Sequence, residues 1–142
     1  FMDHYFEAYP GIRTYMDQVK KDAYQKGYVE TLLHRKRVIK ELQSDSVMVR
    51  KQGERMALNT PIQGTSADII KKAMNEVHDA FIKEHLQSKM ILQVHDELVI
   101  DCKKSEFEQV SRILKEVMEH TVELRVPLKV DIEYGNNWYE AK

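Results

Sequence analysis

The 142 residues suit one ordinary domain, long enough to bury about two thirds of the surface an unfolded chain exposes. Lys and Arg (22) nearly cancel Asp and Glu (23), and the net charge of -1 excludes a global attraction to polyanions, so any nucleic-acid or membrane affinity must come from a local patch. The single cysteine, Cys102, excludes an internal disulfide and a thiolate metal cage and fits a reducing compartment such as the cytoplasm. No apolar run approaches the roughly 20 residues needed to span a bilayer, and the N-terminal stretch is no signal peptide.

The chain opens with an amphipathic pattern already under way, which predicts a short helix over residues 1–9 and marks the chain as a piece of something longer. After Pro10-Gly11, Ile12, Tyr15, Met16, Val19 and Ala23 recur at helical spacing, and Gly27 supplies a stop. YVETLL at 28–33 is β-prone, the HRKR at 34–37 can form its turn, and Val38-Ile39 can begin a return strand. From Ser46 the pattern is helical until Asn59, Thr60, Pro61 and Gly64, which should bend or interrupt it. Ile70, Ala73, Met74, Val77 and Phe81 then resume an apolar stripe, so two helical halves are expected to meet at NTPIQGT.

ILQVHDELVI at 91–100 reads as the two arms of a hairpin, although no Gly or Asn offers the positive φ that a two-residue turn usually needs. SEFE at 105–108 reads as a capping box opening a helix with Phe107, Val110, Ile113, Leu114, Val117 and Met118 inward. Leu128, Val130, Ile132 and Tyr134 alternate with Lys129, Asp131 and Glu133, the pattern of a strand with one wet face. With no repeats or linkers, helices plus a small antiparallel sheet, class α+β, is the economical fold.

Asp96 and Glu97 at the hairpin tip are hard oxygen ligands suited to magnesium, and a turn leaves coordination positions open to a phosphate substrate; a hairpin tip also needs polar residues for solubility alone. His95 and Gln93 taken singly are ordinary polar strand residues. Arg55, Asn59 and Gln63 could project from one ridge as phosphate and base or sugar contacts, or simply form a solvated helix face. The basic pairs Arg50-Lys51 and Lys71-Lys72, and HRKR, carry the same two readings. A second His-Asp dipeptide, His78-Asp79, opens a remote alternative, a metal-dependent HD-type phosphohydrolase, which the scattered placement of the six histidines disfavours.

Taken together, RMALNTPIQGTSADIIKKAM (55–74), QVHDELV (93–99) and VPLKVDIEYGNNW (126–138), with GYVETLLHRKR (27–37), closely resemble the family A DNA polymerases, the family of bacterial DNA polymerase I. The resemblance runs through essentially the whole chain in order. It implies a partial polymerase palm, 1–142, with adjoining fingers-base helices at its N-terminal end. It further implies that Asp96 helps bind the catalytic magnesium, that Glu97 assists more weakly, that Gln93 and His95 lie near the primer terminus, and that Arg55, Asn59 and Gln63 contact template and primer.

The implied partners are primer-template DNA and deoxynucleoside triphosphates, with no membrane. The implied reaction is two-metal nucleotidyl transfer to a primer 3′-hydroxyl. A second palm aspartate and the triphosphate-binding fingers helix belong upstream of Phe1 in this family. The isolated chain is therefore expected to be inactive and to self-associate through the strand edge left beside the hairpin; the alternative reading is a non-catalytic nucleic-acid-binding or scaffolding fragment. His34 stands where many members carry Gly, which puts the geometry of that turn in question.

Overall fold

A computed structural model describes residues 2–141, which form two compact units dividing at Asp68 and Ile69. The first begins with α1 (Met2–Ala8) and α2 (Pro10–Lys26). Pro10 sits in the first turn of α2, where its missing N–H costs no helical bond. Gly27 ends α2 as expected, in the left-handed region at φ 75°, with its N–H on the Ala23 carbonyl at 2.8 Å.

Strands β1 (Tyr28–Glu30) and β2 (Lys36–Val38) pair antiparallel with Val29 opposite Arg37. The hairpin is as expected, but its strands are shorter and its turn lies earlier. His34 belongs to the turn while Lys36 and Arg37 belong to β2. His34 has φ 64°, a conformation that glycine adopts freely and that costs another residue about 1 kcal/mol, which explains why Gly suits this position. Ala23, Val29, Ile39, Leu42 and Ala57 form the core of this unit.

The third helix, α3, runs unbroken over Val47–Lys83 with Pro61 inside it. Of the expected bend or interruption at NTPIQGT, the interruption into two helical halves does not occur. Pro61 removes one backbone bond, but the β1–β2 hairpin binds the helix on both sides of the weak point. Arg37 Nη1 donates to Thr60 Oγ1 (3.1 Å), Leu32 N–H to Thr65 Oγ1 (2.9 Å) and Thr31 Oγ1 to Asp68 Oδ2 (2.7 Å). Gly64 admits this approach: a Cβ there would lie 2.6 Å from Thr31 Cγ2.

In the second unit Val77 and Phe81 of α3 meet Val110, Ile113 and Leu114 of α4 (Phe107–His120), the face predicted for that helix. Between them β3 (Lys89–Val94) and β4 (Glu97–Asp101) form the expected hairpin, packing Met90 and Ile100 against this core. Two expectations fail here. The SEFE capping box does not form: α4 is preceded by a 3-10 turn (Lys104–Glu106), Glu106 is its N-cap, and no side chain caps the helix. Residues 128–134 pair with no strand among the described residues. Their alternation nevertheless holds in burial, with Leu128, Val130 and Ile132 half-buried and Lys129, Asp131 and Glu133 exposed. Ile132 joins the core, and Val130 N–H is satisfied by the Glu119 carboxylate at 3.1 Å, so side-chain packing and one side-chain bond replace a ladder.

Glu106 has a different task from capping. Its carboxylate accepts Ser88 Oγ–H (2.6 Å) and the N–H groups of Gln87 and Ser88, while the same Ser88 Oγ accepts Lys103 N–H (3.0 Å). The base of the β3–β4 hairpin is thereby closed and tied to the start of α4. The Ser88 hydroxyl, then the Gln87 N–H, hold the Glu106 carboxyl below its ordinary 4.5. A depressed carboxylate contributes stability that is present above its unfolded value and lost as pH falls through the folded one. Glu106→Gln is therefore expected to flatten the decline of the unfolding midpoint as pH falls below Glu106's ordinary 4.5. A parallel decline in the variant would show that other groups dominate.

Candidate active site and nucleic-acid face

The β3–β4 hairpin carries four of the predicted residues. Val94 pairs with Glu97, leaving His95 and Asp96 as a two-residue turn. His95 supplies the positive φ, 53°, that no Gly or Asn was there to provide, and histidine is one of the residue types enriched in that region. Ile91 is an extra residue in the ladder, since Met90 pairs with Ile100 and Leu92 with Val99. This bulge shifts the alternation of β3, so Gln93, opposite Leu98, shares the face of Met90 and Ile100, and Glu97 shares the other face with Leu92 and Val99. Gln93 Nε2 donates to the His95 carbonyl and braces the turn from within.

Gln93, His95, Asp96 and Glu97 are all exposed. Two adjacent carboxylates at an open turn fit magnesium, which takes one or two carboxylates and completes its shell with water and substrate phosphate. Among the described residues no group of three or more His, Cys, Asp or Glu side chains could hold a metal, so the pair is a partial donor set. The same finding leaves the His78-Asp79 phosphohydrolase reading without a ligand cluster.

Arg55, Asn59 and Gln63 are also exposed, one helical turn apart on α3, so their directions span about 80° of the helix surface. Gly53, Ala57, Thr60 and Asp68 are buried, the first against Leu42, where a Cβ would lie 3.0 Å from the backbone N. Small residues on the packed side thus turn the Arg, Asn and Gln side outward. The HRKR residues, read as phosphate contacts or plain surface, are exposed and also have partners within the chain. Arg35 Nε donates to Asp68 Oδ1 at 2.6 Å, Lys36 lies 4.6 Å over the Tyr28 ring and near Glu30, and His34 faces Glu30. Arg50 is likewise committed, to the Ser44 and Asp45 carbonyls, and Lys72 to Glu76 and the Thr121 carbonyl.

Sequence reasoning missed Asp68. Its signal was a carboxylate falling in register with Gly53, Ala57, Thr60 and Gly64, a spacing that places it on the packed side of the helix.

The fold is that of part of a polymerase domain: a solved structure of the POL domain of Pol1 from M. smegmatis, in complex with DNA primer-template and dNTP, matches with a TM-score of 0.97 and 41% identity, covering 99% of this chain and 25% of that one. The family model for DNA polymerase family A matches residues 1–140, and the chain belongs to that family. Among its relatives, DNA polymerase I of Bacillus caldotenax is 52% identical and that of Geobacillus stearothermophilus 51%, each across all 142 residues. The chain spans 16% of the length of these relatives. Among the described residues no helix is long and apolar enough to cross a membrane.

Proposed function

We propose that this chain is the C-terminal palm segment of a bacterial DNA-directed DNA polymerase and supplies part of its active site. The carrying observation is the exposed pair of Asp96 in the two-residue turn and Glu97 at the start of β4 in a family A chain. The reaction is template-directed: a primer 3′-hydroxyl attacks the α-phosphate of a deoxynucleoside triphosphate in line, and pyrophosphate leaves. Asp96, with weaker help from Glu97, would hold magnesium, which when bound would supply charge stabilisation for the attacking and leaving oxygens in the manner of two-metal sites.

The chain's own residues orient the reactants. His95 and Gln93 flank the primer terminus, Gln93 also holding the turn. Arg55 neutralises a phosphate, while Asn59 and Gln63 read sugar or base edges of primer and template near the insertion site. By itself the 142-residue polypeptide, with a partial donor pair only, extends no primer. It associates with a second copy through the open edges of β3 and β4, beside the half-exposed Ile91 and Leu92.

In the full-length polymerase, Arg55→Ala is expected to weaken primer-template binding and to reduce the slope of log K against log salt by roughly one unit or less. Binding measured by anisotropy across a salt series checks it. An unchanged slope with unchanged affinity would remove Arg55 from the nucleic-acid face.

A further inference from the structure

We propose that buried Asp68 is a positioning residue that, with Thr31 and Arg35, sets how Gln63 is presented to nucleic acid; the proposal rests on the polymerase reading above. The Asp68 side chain is 4% exposed, and both of its oxygens are engaged, Oδ2 by Thr31 Oγ1 and Oδ1 by Arg35 Nε. Arg35 N–H closes the bracket on Thr31 Oγ1 at 3.1 Å. Around this bracket the hairpin reaches α3 at Thr60, Thr65 and Asp68, on both sides of the segment from Pro61 to Gly64.

That segment is the weakest of the helix. Pro61 leaves one carbonyl without its helical donor, and Gly64 has the greatest backbone freedom. Left to itself it would sample several local bends, and Gln63, exposed between these two residues, would sample directions with it. The hydrogen bonds from the hairpin at Thr60, Thr65 and Asp68 select one of them. Asp68 lies five positions beyond Gln63, about 140° round the helix, so it acts through the backbone and touches no nucleic acid at the Gln63 face. A charged group is suited to this task because a buried carboxylate is tolerated only in the geometry where its donors meet it, so the bracket penalises the alternatives.

The test is a double-mutant cycle in the full-length polymerase with Gln63→Ala, Asp68→Asn and both, reading kcat/KM for correct nucleotide insertion together with the unfolding midpoint. Each single change is expected to lower kcat/KM about tenfold, and the double variant to be no worse than Gln63→Ala alone. Thr31→Val should reproduce Asp68→Asn, and Thr31→Ser, which keeps the hydroxyl, should restore insertion close to the wild-type value. If Asp68→Asn fails to fold, the cycle with Thr31→Val decides the matter. Multiplying losses in the double variant, or an Asp68→Asn enzyme with wild-type insertion, would overturn the positioning role and leave the nucleic-acid face standing. An inert Gln63→Ala would overturn both.

Discussion

Asp96→Asn in the full-length polymerase is expected to lower turnover by about three orders of magnitude or more while leaving the unfolding midpoint unchanged or slightly raised. The substitution keeps the shape of the side chain and deletes one of two adjacent negative charges. Asp96 is exposed, and the positive φ of the turn falls on His95, so neither packing nor backbone conformation depends on the carboxylate. Removing it also relieves repulsion by Glu97, which is why no stability is lost. Primer extension in magnesium, run beside a thermal melt, checks both halves. Turnover near the wild-type level would place the metal carboxylate elsewhere, and a fall in the midpoint would make Asp96 a structural residue.

Phe81→Ala should act in the opposite sense, on stability first. Phe81 is 5% exposed and packs with the fully buried Val77 against Val110, Ile113 and Leu114. It also closes α3: Leu86 N–H returns to the Phe81 carbonyl and His85 N–H to that of Ile82, with His85 at φ 54°, a Schellman ending in which Leu86 packs against the cluster that includes Phe81. The variant loses the ring from that cluster, a cost of about 3–5 kcal/mol. Hydrogen exchange reads this as a fall of about two to four orders of magnitude in the protection of the β3 and β4 amides, which pack on the same core. A fall of under about fivefold would mean that the core closes over the space left by the ring.

What could be read in the sequence is what neighbours a few residues apart decide. The apolar spacing of α2 and α4, the left-handed stop at Gly27, and the alternation that buries Leu128, Val130 and Ile132 all follow from local periodicity, which does not depend on what lies across the chain. The family motifs were equally legible, because they are strings of residues. Tertiary contact decided the rest.

Pro61 and Gly64 lower helix propensity wherever they occur, yet α3 continues, because Thr31, Leu32 and Arg37, each more than 20 residues away in sequence, bind its side chains on both flanks. Ser105 and Glu108 have the spacing that invites a capping box, but Ser88 and Gln87 offer the intervening Glu106 carboxylate three donors, and Glu106 rather than Ser105 becomes the N-cap. HRKR reads as free positive charge until folding brings Asp68 to Arg35 and the Tyr28 ring to Lys36. Residues 128–134 carry a strand's alternation, but a strand also needs a partner's backbone, and a single chain segment cannot specify that. The local preferences are worth about 1 kcal/mol each, and about 3 for a proline inside a helix, while the long-range contacts act together on groups that burial forbids to remain unpaired.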